Sequence, residues 1–593
     1  MTLRRIIAVS VLAAAALLTA GCGDTFRPPV SSISPVGPAA QPAKYAIEIA
    51  DPGNGNPGLY NMVDFSGDTI LNTTAIGVQP QYLALGYSGS EAYVLNANGT
   101  VNTFGVSSSL QSNQIQTSTL FSGADANSVF PGSTYIYFTE PYPATPANAS
   151  VAIAQGTPPS VKQELAVGAN PVYLAGTSSS ARIYAISQGS DSVTAIQTST
   201  NTISNTIGVG ASPVYGIMTP DNNRVFIMNQ GDGTVSVINA NTDEPDTNKP
   251  TITVGSGPVW ADVYGQGSLL VTANSTGNSV SIVTIPLCSI VALPTNPNCD
   301  ANDPTDDTNF GTVLATVPVG PNPQMVSILQ DGTRAYVANF NATNVAGFSV
   351  TGDPRTITGF SISSNVATIT ANNDFVAGSL VGITGLSIGT GLNGGPYTVL
   401  PSGLSSTQFE ISVTGLPNTA QTADSGTALE GKATVEASNA YSTGTQVMLA
   451  GLRSGSGSCL NGGPYAVLPA GLSATQFEVE VPCGTTATTT DAGTTSVSGT
   501  YGSVSVVDLT TYTVSRTIPF DGNITNPDGS ENPYHGPYCH PNFIVTSQGT
   551  PTGKVYVSCP DGQLLTILET DTDSLRGTLN MQGYGVQVRM TAQ

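Results

Sequence analysis

The sequence has few charged residues, two histidines and one tryptophan. Charged residues make up 9% of the chain, and neither histidine accompanies a candidate serine nucleophile. No Gly/Lys loop of the phosphate-cradling type occurs. These absences argue against the commonest hydrolase and nucleotide-binding sites.

Positive charge is scarce as well. The chain has 16 Lys and Arg against 38 Asp and Glu, a formal net charge of -22, and no basic run interrupts the acidic background. Nucleic acids and anionic membrane surfaces repel such a chain. We therefore expect no nucleic-acid partner.

Long helical patterns are also lacking. After residue 44 no extended stretch has a 3.6-residue hydrophobic period, whereas 65 Gly and 41 Pro supply turn residues throughout. Short runs rich in Val, Ile, Thr and Tyr between such turns are typical of strands. The sequence predicts an all-β protein.

The N-terminal segment predicts export. Arg4 and Arg5 precede an apolar run too short for an ordinary membrane span, which ends in Leu18-Thr-Ala-Gly-Cys22. This ending resembles the lipobox of bacterial lipoproteins, although Thr19 stands where Leu is commoner. The resemblance implies a signal peptide at 1–21 and acylation of Cys22. The alternative is plain secretion with cleavage nearby.

The same resemblance predicts a location. Residues 22–43 are rich in Pro and Ser and fit a flexible tether between lipid and folded domain. The mature protein would be exported and anchored in a membrane, facing the periplasm or the cell surface. The choice between inner and outer membrane stays open.

Six cysteines follow Cys22, an even number that suggests disulfides in an exported chain. Pairing neighbours closes three short loops. No Cys-x-x-Cys motif occurs, which argues against zinc clusters and attached haem. The predicted disulfides are Cys288–Cys299, Cys459–Cys483 and Cys539–Cys559.

A unit of roughly 40 to 45 residues recurs along the chain, the length of a four-stranded propeller blade. A clear copy has four predicted strands: Pro213-Val-Tyr-Gly-Ile217, Arg224-Val-Phe-Ile-Met-Asn229, Thr234-Val-Ser-Val-Ile238 and Ile252-Thr-Val-Gly255. These repeats resemble the YVTN family of β-propeller proteins over most of 44–345 and 502–592. The resemblance implies a closed β-propeller.

The ends of the chain complete the count of blades. Residues 44–78 supply three strands without an opening strand, and Gly585–Met590 supplies an opening strand without successors. Pairing the two ends would close the ring and remove exposed sheet edges. We count eight blades; seven is the alternative, because the copy at 127–168 is degenerate.

The blade rhythm stops between about residues 356 and 500, where a duplication occurs. Leu392–Glu410 and Leu460–Glu478 match closely, which predicts two small tandem β modules inserted in a late blade. The insert would leave between the second and third strands of that blade; if Val345–Val350 is the third strand instead, it leaves on the opposite face. The predicted organisation is 1–21 signal peptide, 22–43 tether, 44–355 propeller, 356–430 module 1, 431–500 module 2 and 501–593 propeller with ring closure.

Candidate catalytic and metal-binding side chains are sparse. His535 and His540 share a Pro/Gly-rich loop and could bind a metal with Asp528 or Glu531. The alternative is a disulfide-stapled loop with incidental histidines. Trp260 opens a blade strand, in the core or beside the central channel. We expect no other cofactor and no catalytic residue.

The function class follows from export and fold. The sequence favours a cell-envelope lipoprotein whose propeller is a non-catalytic binding or scaffold module. Its partners would be the membrane, through the lipid, and an envelope protein or carbohydrate. The alternatives are an enzyme resembling propeller lactonases and a metal-binding or redox propeller.

Overall fold

The structure is a computed structural model. It describes the following residues: 44–86, 89–106, 115–120, 126–141, 149–176, 181–264, 268–286, 309–454, 457–522, 538–547 and 553–591. Cys22, Cys288, Cys299 and His535, together with the predicted signal peptide and tether, lie outside these ranges. Within them, no helix is long or apolar enough to cross a membrane.

The described residues form 45 strands, and the α-helix among them, Gly457–Leu460, has four residues. In chain order the first half comprises β1 (Tyr45–Asp51), β2 (Pro57–Asp64), β3 (Thr69–Val78), β4 (Pro80–Leu85), β5 (Glu91–Asn96), β6 (Thr100–Gly105), β7 (Gln116–Thr119), β8 (Val129–Pro131), β9 (Ile136–Glu140), β10 (Ser150–Gln155), β11 (Ser160–Ala166), β12 (Pro171–Ala175), β13 (Arg182–Ser187), β14 (Ser192–Gln197), β15 (Thr202–Gly208), β16 (Pro213–Met218), β17 (Arg224–Asn229), β18 (Thr234–Asn239), β19 (Glu244–Pro245), β20 (Thr251–Thr253), β21 (Pro258–Val263), β22 (Leu269–Asn274), β23 (Ser279–Thr284) and β24 (Thr312–Pro318). The second half comprises β25 (Pro323–Ile328), β26 (Arg334–Asn339), β27 (Thr343–Asn344), β28 (Gly347–Ser363), β29 (Val366–Ala371), β30 (Leu380–Thr384), β31 (Gly394–Thr398), β32 (Gln408–Ser412), β33 (Thr419–Glu436), β34 (Gln446–Ala450), β35 (Gly462–Ala466), β36 (Gln476–Val481), β37 (Thr486–Thr490), β38 (Thr494–Val497), β39 (Ser503–Asp508), β40 (Thr513–Pro519), β41 (Phe543–Ser547), β42 (Lys554–Ser558), β43 (Leu564–Glu569), β44 (Ser574–Asn580) and β45 (Tyr584–Met590).

The repeats form eight antiparallel sheets, here called blades 1 to 8, in a β-propeller-like all-β fold. In blade order they are β3-β2-β1-β45, β4-β5-β6-β7, β8-β9-β10-β11, β12-β13-β14-β15, β16 to β20, β21-β22-β23-β24, β25-β26-β39-β40 and β41-β42-β43-β44. The last strand, β45, pairs with the first, β1, as Ala46 opposite Met590 and Ile47 opposite Arg589 illustrate. The described residues thus contain the eight blades counted in the sequence.

The innermost strands of the blades contact one another in a continuous series. The series runs β45, β4, β8, β12, β16, β21, β25 and β41, and β41 contacts β45 again. Strands in the middle of a blade are covered on both faces by neighbouring blades, so that every residue of β17 is buried. Outer strands such as β24 and β40 instead alternate between exposed and more buried residues.

An asparagine at the end of the second strand in blades 2, 5, 6 and 7 explains part of the repeat; these residues are Asn96, Asn229, Asn274 and Asn339. Asn229 is fully buried and donates from Nδ2 to Ser236 Oγ at 2.9 Å. Ser236 Oγ in turn accepts from the backbone of Gly210, at the end of the previous blade, at 3.2 Å. A Cβ on Gly210 would stand 2.5 Å from Asn229 Nδ2. The Asn, Ser and Gly of the repeat therefore tie one blade to the next.

Gly210→Ala is expected to lower the free energy of unfolding by roughly 1–3 kcal/mol, because the added methyl group overpacks this contact. Gly208→Ala is the matched control two residues away, since a Cβ there meets nothing within 4 Å. Denaturant unfolding of both variants checks the prediction. Equal stabilities would show that Asn229 moves aside without cost.

A buried aspartate provides a second tie between blades. Asp243 has a positive φ of 56° in a turn of blade 5. It accepts from Arg182 Nε at 2.7 Å and from the Tyr184 hydroxyl at 2.7 Å, both in blade 4. The same pairing recurs between blades 7 and 8, with Arg334, Tyr336 and Asp573. These contacts between neighbouring blades recur because the blades are copies of the same repeat.

The inserted region leaves blade 7 between β26 and β39, which pair directly. Val345–Val350 is not the third strand of that blade; Phe348 and Val350 belong to the core of the second module. The long strands β28 and β33 pair along most of their length and serve both modules. The boundaries predicted at 355/356 and 430/431 fall inside these two strands, because the modules share them.

Each module has its own core. One is built around Phe360, Phe409 and Ile411, and the other around Phe348, Phe477 and Val479. The second module also contains a disulfide that joins Cys459 to Cys483. Cys539 and Cys559 form a further disulfide in blade 8. Both bonds join the cysteines that the sequence pairs.

Candidate ligand-binding site

A cavity of about 440 Å³ lies where the innermost strands converge. Its walls come from β4, β8, β12, β16 and β45. The side chains of Tyr82, Tyr173, Tyr215 and Arg589 line it, together with backbone at the ends of the strands. A volume in the range of roughly 300–1,000 Å³ is typical of sites for small molecules.

The cavity opens away from the inserted modules. Its lining runs from the middle of the inner strands to residues just past their ends, such as Gly86 and Gly176. The insert leaves after Asn339, which lies opposite Pro323 at the start of inner strand β25. The cavity and the insert are therefore at opposite ends of the inner strands.

Aromatic rings from successive blades contact one another beside the cavity. Tyr173 and Tyr215 have ring centroids 4.7 Å apart, and Tyr215 stacks on Trp260 at 4.0 Å. Trp260 then meets Phe543 of blade 8 edge to face at 6.0 Å. Trp260 thus lies beside the central channel, which is one of the two locations its sequence context allows.

Arg589 places a positive charge among these rings. Its guanidinium carbon lies 6.0 Å from the ring centroid of Trp260 and 5.6 Å from that of Phe543. Its charge also lowers the pKa of the Tyr173 and Tyr215 hydroxyls, against the larger effect of burial. The cation therefore acts on rings and hydroxyls from four blades.

The tyrosine hydroxyls are neutral donors. Burial raises the pKa of both Tyr173 and Tyr215, and the Asp262 carboxylate adds to the shift at Tyr215. Burial also raises the pKa of Asp262 to about 6. Its two oxygens already accept from the backbone N–H groups of Ile328 at 2.7 Å and Val263 at 2.9 Å. Asp262 therefore serves mainly to tie blade 6 to blade 7.

His540, which we considered as a metal ligand, lies in another part of the molecule. It is buried, its Nδ1 lies 2.5 Å from Asp561 Oδ2, and its Nε2 has no hydrogen-bond partner among the residues that the structure describes. Asp561 also accepts from Thr494 of the second module at 3.0 Å. The neighbouring Cys539 and Cys559 are joined in a disulfide. His540 thus contributes to the contact between module and propeller.

The second module is attached to the propeller by Arg453. Its guanidinium donates to Asp51 Oδ2 at 3.1 Å and to the Pro560 carbonyl at 2.8 Å. It also lies 5.1 Å from the Tyr584 ring centroid, and its own carbonyl accepts from Asn54 N–H at 2.8 Å. This arginine is nearly buried and binds propeller segments far apart in sequence.

The sequence patterns miss both Arg453 and Arg589. Arg453 stands in a Gly/Ser-rich turn, and Arg589 follows Gln587 in a short strand with no further motif. The repeat pattern does point to Tyr173, Tyr215 and Trp260, which occupy the same position in successive copies.

No protein-family model matches the chain, and no curated protein matches it. Among solved structures, the chain is similar to a protein of unknown function from Desulfotomaculum acetoxidans, with a TM-score of 0.37 and 10% identity over 59% of this chain and 97% of that one. It is also similar to a proposed 6-phosphogluconolactonase from Bacteroides fragilis, with a TM-score of 0.38 and 13% identity over 57% and 93%. Kuenenia stuttgartiensis hydrazine synthase gives a TM-score of 0.34 and 15% identity over 49% and 91%.

Proposed function

We propose that this protein is an exported lipoprotein of the cell envelope whose propeller binds a small molecule in the central cavity without transforming it. The cavity, with its tyrosine walls and its single cation, is the observation that carries the proposal. The inserted modules, held on the opposite end of the inner strands, are free to contact an envelope protein or carbohydrate while the cavity stays accessible.

Binding is favoured over catalysis by the composition of the cavity wall. In the part of the chain that the structure describes, no histidine, aspartate or glutamate lines the cavity. General acid–base catalysis most often uses such a group within hydrogen-bond reach of the reacting atom. Tyr173 and Tyr215, whose pKa values burial raises, are suited to donating hydrogen bonds to a bound ligand.

The intrinsic fluorescence of Trp260 tests the binding proposal, because it is the only tryptophan in the chain. We expect at least one compound in a screen of small envelope metabolites and lactones to shift its emission, raise the unfolding temperature and be recovered unchanged. Turnover of a lactone would establish the enzymatic alternative. A screen with no shift of emission or unfolding temperature would argue against a small-molecule site.

Cys22→Ser is expected to abolish incorporation of a fatty-acid label and to move the protein from the membrane to the soluble fraction. The reason is that thioether-linked acylation requires the sulfur atom, and the tether offers no other anchor of comparable apolar area. Thr19→Leu, which installs the commoner lipobox residue, should keep full labelling. Labelling that survives Cys22→Ser would refute the anchor.

A further inference from the structure

We propose that the ligand of the central cavity is a small carboxylate and that Arg589 is the group that recognises it. This inference rests on the proposed function, since it specifies the chemistry of the molecule bound there. The decisive observation is that no carboxylate in the described part of the chain lies within 4.0 Å of the Arg589 guanidinium.

The absence of a partner distinguishes Arg589 from other arginines of this chain. Arg182, Arg334, Arg453 and Arg576 each lie 2.5–3.1 Å from an aspartate oxygen. Acidic residues outnumber Lys and Arg by 38 to 16, so counter-ions are abundant. An arginine that stays without one, in a half-buried position on the wall of a cavity, has its charge available to a ligand.

The surroundings of Arg589 hold the charge in place without neutralising it. The rings of Trp260 and Phe543 approach it at 6.0 and 5.6 Å, the distance at which the ring quadrupole attracts a cation. Asp262 does not form an ion pair with Arg589; its two oxygens accept from the backbone N–H groups of Ile328 and Val263. The rings thus hold the guanidinium in place, while no carboxylate of the described residues accepts from its N–H groups.

A carboxylate fits this arrangement better than a neutral group. The planar guanidinium offers parallel N–H donors that match the two oxygens of a carboxylate. Tyr82, Tyr173 and Tyr215 line the same cavity, and a tyrosine O–H can donate to the anion or to the rest of the ligand. A volume of about 440 Å³ accommodates a single six-membered ring with its substituents.

The same recognition serves two kinds of carboxylate, a sugar acid and an aromatic acid. Two pairs of compounds distinguish the sugar acid from the aromatic acid. They are glucuronate with its neutral counterpart methyl glucoside, and benzoate with its neutral counterpart benzamide. Each compound is titrated against the full-length mature protein while Trp260 emission is recorded. We expect one acid to bind at least about tenfold more tightly than its neutral partner, as a charge-assisted hydrogen bond implies.

Arg589→Met should weaken binding of that acid by about 10- to 100-fold, and Arg589→Lys, which keeps the charge, should retain part of the affinity. Arg516→Met is the matched control; Arg516 lies on β40 and donates to the Thr572 carbonyl at 3.1 Å, away from the cavity. The unfolding temperature and the ligand-free emission of each variant establish that it is folded.

Two results would overturn the proposal while leaving the binding function intact. One is an acid that binds Arg589→Met as tightly as the wild-type protein. The other is a neutral compound from the broader metabolite screen that binds when all carboxylates fail. If no compound of any charge binds, the proposed small-molecule function fails together with this inference.

Discussion

Glu48→Gln is expected to make the free energy of unfolding less dependent on pH. In the wild-type protein this free energy should fall by roughly 3–5 kcal/mol between about pH 5 and pH 8, and the variant should not show this fall. Glu48 lies in the middle of β1 and is fully buried. Its Oε1 accepts from the Ser558 hydroxyl at 2.5 Å, whereas Oε2 has no hydrogen-bond partner in the described part of the chain. Burial raises its pKa from 4.5 to about 8.

The direction of the effect follows from proton binding. Below about pH 4.5 the carboxyl is protonated in both folded and unfolded chains, and its site is at its most stable. Between about pH 4.5 and pH 8 the unfolded chain ionises while the folded chain stays protonated, so stability falls by about 1.4 kcal/mol per pH unit. Above that range both states are ionised and the loss stops growing.

Denaturant unfolding at a series of pH values measures this slope. The Glu48→Gln variant keeps an acceptor for Ser558 and has no proton to lose, so its curve should be flatter than that of the wild type. Glu244→Gln, at an exposed glutamate, is the control and should follow the wild-type curve. Parallel curves for wild type and Glu48→Gln would show that Glu48 is not the source of the pH dependence.

Arg453→Ala is expected to release the second module from the propeller and to lower stability by about 3 kcal/mol. The substitution would leave Asp51, which is 4% exposed, buried without its cation. Breaking a buried ion pair by removing one partner typically costs about 3–5 kcal/mol. Faster hydrogen exchange at Asn54, whose N–H donates to the Arg453 carbonyl, would report the detachment.

A second substitution separates charge from packing. Asp51→Asn in the Arg453→Ala background should recover part of the lost stability, because no buried charge is then left alone. Arg355→Ala is the control within the inserted region, since its partners Asp353 and Asp374 are more than half exposed and such pairs contribute little. Equal effects of Arg355→Ala and Arg453→Ala would contradict the role of Arg453 as an anchor.

Much of the blade architecture could be predicted because its causes are local. Alternating apolar residues mark the strands, Asn-Gly and Asp-Gly pairs mark the turns, and repeats such as blades 5 and 6 carry their own Asn for the tie to the Gly of the previous blade. The duplicated segments that begin at Leu392 and at Leu460 likewise predict two modules. The strands β28 and β33 contribute to the cores of both modules, a sharing that the duplicated pattern does not reveal.

The candidate site was less accessible to sequence reasoning. The repeat drew attention to Trp260, but no pattern related it to Arg589, more than three hundred residues later in the chain. The histidine loop, which looked more promising, supplies a contact between His540 and Asp561 at the module interface. Its other predicted ligand, His535, lies outside the described residues, so the metal hypothesis stays a prediction.

The sequence by itself determined the strands, the turns, the count of eight repeats and the place of the insert, because each depends on residues close together in the chain. The tertiary structure alone decided which arginine side chains lie beside a carboxylate. Arg453 reaches Asp51 across about 400 residues, Glu48 is buried between blades that the two ends of the chain supply, and Arg589 is left without a counter-ion in the cavity. Such pairings depend on how the blades pack against one another, and the local hydrophobic period of the sequence carries no information about that packing.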